Sequence, residues 1–358
     1  MTLRFKSGMA EATRLTRQGR LSEALAALRG ALSGAAPGPA NRAADRTAER
    51  SPAGRFRFPG RPVTPARPGV VPPVPDGSRF ETRSFTGPGG TRAFRLFVPS
   101  RPAAGGMPLL VMLHGCTQTP DDFATGTRMN LLAEEHGLAV VYPAQSDAAN
   151  ASLCWNWFNA GNQSRDRGEA ALIAGIARAA MAEVAVAEGR VYVAGLSAGG
   201  AAAAIMAATY PDLFAAAGVH SGLPVGAART MANAFTAMKK GAGTTLKVGA
   251  GVPTIVFHGD ADSTVAPVNG AQVIDQALAG EPLEKRVEHG TSASGVTFTR
   301  TIHAAQGGAS RHEHWLVHGL GHAWSGGNAD GSYTAPQGPD ASREMLRFFL
   351  SHRTLKPA

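Results

Sequence analysis

Residues 190–200 read Arg-Val-Tyr-Val-Ala-Gly-Leu-Ser-Ala-Gly-Gly, and the run Ala201–Ala204 follows directly. Arg190–Gly195 predicts a strand and Ala198–Tyr210 a helix of very small residues. Between them stands Gly195-Leu196-Ser197-Ala198-Gly199, a G-x-S-x-G turn in the strand–turn–helix setting that gives this motif its meaning. The reason for the glycines is steric. A turn this tight brings positions 195 and 199 against neighbouring backbone, where a side chain would collide. The turn strains Ser197 and exposes its hydroxyl. It also sets Ser197 and the Ala198 N–H at a helix N-terminus, where developing negative charge is stabilised. A bare G-x-S-x-G is common by chance, so the flanking strand and small-residue helix are what make Ser197 a candidate nucleophile.

Working outward, Pro108–His114 (PLLVMLH) and Leu138–Tyr142 (LAVVY) are apolar runs expected of strands buried on both faces. Phe214–Val219 and Pro253–His258 (PTIVFH) are further strands, and Val296–His303 and Glu313–His318 are late strands suited to pairing with each other. Asp121–His136, Arg167–Ala187, Val268–Leu278 and Glu344–His352 carry helical patterning. Phe80–Phe85 and Arg92–Val98 flank a turn containing Gly-Pro-Gly-Gly, a hairpin signal. This alternation predicts an α/β protein: a mostly parallel, doubly wound sheet with an antiparallel N-terminal hairpin.

A serine hydroxyl needs a base, and the base an orienting acid. On an elbow-bearing sheet the chain order is Ser, then Asp or Glu, then His. The strand PTIVFH runs into His258-Gly259-Asp260-Ala261-Asp262-Ser263-Thr264-Val265. Asp262 and Asp260 are both candidate acids. The spacing from His258-Gly259, with Val265 behind, favours Asp262 and leaves Asp260 to shape the turn. Of eleven histidines, His322 stands in a glycine-rich loop, Gly319–Trp324, after the last strand. It is the candidate base, with His318 the alternative.

The strand PLLVMLH ends in His114-Gly115-Cys116-Thr117-Gln118. The loop after this strand supplies the second N–H of an oxyanion hole in such folds. Cys116 is assigned that role, with Ala198 giving the first N–H; losing one donor costs ~3 kcal/mol of transition-state stabilisation. Leu153–Phe158 (LCWNWF) is the densest aromatic cluster. With Trp324 beside His322, the residues Gln118, Trp155, Asn156 and Trp157 are expected to line an apolar substrate platform at the sheet's carboxyl edge. Cys116 and Cys154 lie on loops at that edge, either as two free thiols or as one disulfide.

Composition restricts the rest. With 44% hydrophobic and 17% charged residues, the 358-residue chain is neither wholly disordered nor a coiled coil. Its longest apolar stretch, Ala198–Ala208, is too short for the roughly 20 residues that span a bilayer. Residues 1–68 hold 13 Arg or Lys against 4 Asp or Glu, which is the whole +9 excess; residues 69–358 hold 22 of each. The expected organisation is a basic amphipathic helical segment over 1–33, a Pro/Gly/Arg-rich flexible linker over 34–78, and a catalytic domain over 79–358. The basic segment is a candidate for docking on a polymer granule or an anionic surface. Its few aromatics, Phe5, Phe56 and Phe58, do not suit nucleic acid, and no nucleic-acid partner is expected. No apolar run follows Arg4 and Lys6, so no signal peptide is recognisable and a cytoplasmic location is expected, with secretion the alternative.

LHGCTQTPDDF (113–123), YPAQ (142–145), CWNWF (154–158), GLSAGG (195–200), FHGDAD (257–262) and GLGHAWSGG (319–327) together make the chain resemble the polyhydroxybutyrate (PHB) depolymerase family of esterases over roughly residues 80–350. The resemblance implies an α/β-hydrolase fold and a triad of Ser197, Asp262 and His322, with Cys116 in the oxyanion loop. It implies hydrolysis of 3-hydroxyalkanoate polyesters or small esters, with feruloyl or acetyl esters of plant polysaccharides the alternative. No cofactor and no metal are expected.

Overall fold

The computed structural model describes residues 72, 74–243, 246 and 251–354. The expected helical segment over 1–33, most of the linker over 34–78 and the docking role of residues 1–68 lie outside the described residues, apart from residue 72 and residues 74–78.

Ten strands form one sheet in the order β1-β2-β4-β3-β5-β6-β7-β10-β9-β8. Six of them, β4 (Ala139–Pro143), β3 (Met107–Leu113), β5 (Val186–Leu196), β6 (Ala216–His220), β7 (Thr254–Gly259) and β10 (Ser310–Val317), run parallel as its centre. Their inner residues are buried on both faces, which is why the sequence shows continuous apolar runs there. The hairpin β1 (Arg79–Gly87) and β2 (Gly90–Val98) closes one edge antiparallel, as expected. A second antiparallel edge closes the other, where β9 (Thr297–Ala304) pairs with β10 and β8 (Glu284–Thr291) pairs with β9. No pattern in the sequence marks β8, because Glu284–Thr291 is polar and mostly exposed.

Helices cover both faces. On one side lie α3 (Gly168–Glu183), α4 (Ala198–Thr209), α5 (Met231–Lys240) and α6 (Val268–Leu278). On the other lie α1 (Pro120–Thr127), α2 (Met129–His136) and α7 (Ala341–Leu350). The single helix expected over 121–136 is in fact α1 and α2, because Arg128 adopts the left-handed conformation at φ +54° and breaks the hydrogen-bond ladder. The helix expected over 167–187 stops at Glu183, and β5 begins at Val186. Trp324–Ser325 (β11) and Thr334–Ala335 (β12) form a small separate ladder. Among the described residues no helix is long and apolar enough to cross a membrane.

The chain passes from β3 to β4 on one side and then returns to β5 on the other. The carboxyl ends of β3 and β5 therefore flank the point where the winding reverses, the place where sheets of this kind open a crevice for ligands. Residues 114–118 leave β3 there and Ser197 leaves β5 there.

Candidate active site

Ser197 adopts φ +58° and ψ −118°, a region that side chains other than glycine rarely enter. What forces it there is the backbone packing of the turn. A Cβ on Gly199 would stand 2.0 Å from the Leu113 carbonyl oxygen, and one on Gly195 would stand 2.3 Å from that of Gly199. The elbow thus leans directly on the end of β3. The Ser197 N–H donates to the His220 carbonyl at 2.9 Å, which ties the turn to the end of β6.

Asp262 follows β7, two strands from the elbow, with its side chain out of water. Its Oδ1 accepts the N–H groups of Thr264 and Val265 at 2.8 and 2.9 Å. Its Oδ2 accepts from His322 Nδ1 at 2.7 Å and lies 3.5 Å from His258 Nε2. Burial alone would raise this carboxyl. The hydrogen bond from His322, with the His258 ring close by, outweighs burial and holds it well below the usual carboxylate range. With Nδ1 committed to Asp262, Nε2 is the ring nitrogen of His322 left to take a proton. The two alternatives from the sequence, Asp260 and His318, pair with each other instead: His318 Nδ1 lies 2.9 Å from Asp260 Oδ2, and the Gly319 N–H donates to Asp260 Oδ1 at 2.7 Å. Between the two acids the Ala261 N–H donates to the Leu320 carbonyl at 3.1 Å. Three successive residues, 260–262, therefore grip the histidine loop from its base to His322.

The loop after β3 is held at nearly every residue. The Gln145 N–H donates to His114 Nε2 at 3.1 Å, so the His114 proton sits on Nδ1 and is donated to the Gly115 carbonyl at 2.8 Å. Burial depresses His114 to about 4, which keeps it neutral. In a trans peptide the N–H points opposite to the C=O, so fixing the Gly115 carbonyl also fixes the Cys116 N–H. The Gly115 N–H donates to Gln118 Oε1 at 2.9 Å, and the Thr117 N–H to the Ser152 carbonyl at 2.7 Å. Among the described residues no acceptor takes the N–H of Cys116 or of Ala198. Cys116 and Cys154 are joined as a disulfide, which ties this loop to residues 150–158.

The expected aromatic platform is not built as anticipated. Trp155 is 0% and Trp324 1% exposed, and Trp157, at 6%, packs edge-on against Phe158. Trp324 Nε1 donates to Ser342 Oγ at 3.0 Å. These rings face the core, because a large apolar side chain gains more from full burial than from a wet rim. Gln118, 1% exposed, is a strut: its Nε2 donates to Asp122 Oδ2 and to Ser332. The Asn156 side chain and N–H donate to the buried Glu169, whose carboxyl burial pushes up. Both polar residues shape the loops rather than offer groups to a ligand. His220, which the sequence gave no reason to single out, stands at the centre of the site. Among the described residues no three His, Cys, Asp or Glu side chains come together as metal ligands.

A doubly wound sheet with a strained serine elbow, and an Asp–His pair in the order Ser197, Asp262, His322, defines the α/β-hydrolase class. A sequence profile described as "Esterase PHB depolymerase" matches residues 92–284, more than half of the chain, which therefore belongs to that family. The chain is 34% identical to poly(3-hydroxyalkanoate) depolymerase C of Paucimonas lemoignei over 251 residues, 66% of this chain and 59% of that protein. It is 28% identical to the probable acetylxylan esterase A of Aspergillus fumigatus over 229 residues, 58% of this chain and 60% of that protein. The alignments thus span about three fifths of either relative's length. Among solved structures, acetyl xylan esterase from Aspergillus awamori superposes with a TM-score of 0.57 at 22% identity, covering 68% of this chain and 94% of that one, a likeness of fold.

Proposed function

We propose that the protein is a serine carboxylesterase acting first on poly(3-hydroxybutyrate) or its oligomers. Ser197 Oγ attacks the ester carbonyl while His322 Nε2 takes its proton. The imidazolium so formed is stabilised by Asp262, which also holds the tautomer. The Cys116 and Ala198 N–H groups receive the developing oxyanion at the helix N-terminus. Collapse expels the alcohol, protonated by His322; a water that gives its proton to His322 then cleaves the acyl-enzyme. The observation that carries this reading is the 2.7 Å Asp262–His322 bond, at the same sheet edge as a serine at φ +58°.

The match to a polyester depolymerase supports the substrate class, as does the balance of 22 basic against 22 acidic residues over 69–358, which suits an uncharged chain. The match to an acetylxylan esterase supports acetyl or feruloyl esters of polysaccharides as the second reading. Docking of residues 1–68 on a polymer granule belongs to the same proposal; their deletion should lower granule association and leave soluble-ester turnover unchanged. Incubation with an amorphous PHB suspension, acetylated xylan and methyl ferulate separates the readings. Release of 3-hydroxybutyrate and its oligomers supports the first. Acetate or ferulate without 3-hydroxybutyrate moves the assignment to the second, and no product from any ester overturns both.

A further inference from the structure

His220 ends β6 between the strand that delivers Ser197 and the strand that delivers Asp262. It is wholly buried, yet it is an imidazole where a leucine or phenylalanine would fill the space. Burying an imidazole costs free energy unless its nitrogens are hydrogen-bonded, and here they are. The Ser325 N–H donates to His220 Nε2 at 3.0 Å, so the proton of the neutral ring sits on Nδ1, 3.2 Å from Ser221 Oγ. Burial depresses this histidine well below 6.5 and keeps the acceptor nitrogen free of a proton. The ring stacks on Trp324 at 5.0 Å and 25°, and on Phe257 at 5.9 Å and 16°.

The same residue holds the elbow, because its carbonyl accepts the Ser197 N–H at 2.9 Å. Its main chain therefore grips the serine and its side chain grips the loop three residues beyond His322. Asp260, Ala261 and Asp262 hold the near side of that loop; His220 and the Trp324 N–H bond to the Tyr333 carbonyl hold the far side. We propose that His220 is a positioning residue that fixes the separation between Ser197 and His322 by bonding to the chain on both sides. The proposal rests on the reading of these two residues as nucleophile and base.

Three variants test it. In H220Q the amide oxygen reaches as far as Nε2 and can still accept from Ser325. In H220N the shorter side chain reaches only toward Ser221, and H220L bonds to neither. A misplacement of about 1 Å can cost on the order of 100-fold in rate. With p-nitrophenyl butyrate, H220L and H220N are expected to lose about 10- to 100-fold in kcat with KM within about twofold of wild type, and H220Q to recover most of kcat. Phosphonylation of Ser197 by a fluorophosphonate, which also needs His322 in place, should slow in parallel. Wild-type kcat in folded H220L and H220N, equal losses in H220N and H220Q, or a change confined to KM would overturn the proposal. So would failure of all three variants to fold. If the Ser197→Ala protein turns over the ester as fast as wild type, the underlying nucleophile reading fails and takes this proposal with it, whatever the His220 variants do.

Discussion

At Ser197 a backbone strain of about 1–3 kcal/mol is held in place by Gly195 and Gly199. Their missing side chains let the turn lie against the Leu113 and Gly199 carbonyls. This was legible in the sequence because the motif itself encodes the close approach. The acid was only half legible. Asp260 and Asp262 both follow β7, and the difference between them is burial and partners: the exposed Asp260 meets the half-buried His318, whereas Asp262 is enclosed and meets His322. His220 was not legible, since its role comes from strand register and no local pattern announces it. Replacing Asp262 by Asn turns an obligate acceptor into a group that can present an N–H to His322 Nδ1 and select the wrong tautomer. Asp262→Asn should therefore lower kcat on p-nitrophenyl butyrate by on the order of 1,000- to 10,000-fold with little change in KM. A loss under about tenfold would show that Asp262 does not orient the base.

Among the elements, the loop after β3 departs furthest from its sequence reading. Gln118 and the tryptophans around it were expected to face a substrate; they face inward, because the loop is an internally braced unit. Short-range pattern cannot tell a tryptophan that lines a cleft from one that plugs a core. Asp122 takes both Ser332 and Gln118, Gln118 takes the Gly115 N–H, and the disulfide closes a 38-residue separation. Cross-linking a loop of that length removes unfolded-state entropy worth ~4 kcal/mol in the chain-entropy account. The double replacement Cys116→Ser, Cys154→Ser should lower the unfolding free energy by roughly 2–4 kcal/mol in urea titration. It should also reduce kcat more than it changes KM, since the Cys116 N–H survives but its loop loses a brace. Unchanged stability and kcat would mean that the hydrogen bonds alone hold the loop.

For the molecule as a whole, the core of parallel strands was readable from uninterrupted apolar runs, while the far edge was not, since β8 is polar and exposed. The sheet and its helices also bury histidines as neutral rings. Burial holds His114 at about 4 and His312 at about 3, and neither His312 nitrogen has a hydrogen-bond partner among the described residues. An unfolded histidine titrates near 6.5. Between that value and the folded one the unfolded chain binds a proton that the native state refuses, so stability is complete above about 6.5 and falls as the pH drops. Each of these two groups removes up to ~1.4 kcal/mol per pH unit in that window. Thermal unfolding should show Tm decreasing steadily from pH 7 to pH 5, with His312→Asn flattening the slope; a Tm constant over that range would contradict the burial of neutral rings. The central claim is that this chain is a hydrolase working through a covalent acyl group on Ser197. The most direct measurement is pre-steady-state hydrolysis of p-nitrophenyl butyrate by wild type and Ser197→Ala, with mass analysis of the quenched proteins. The account predicts turnover and an acylated Ser197 peptide in wild type, and neither in the variant; equal rates in the two proteins would contradict it.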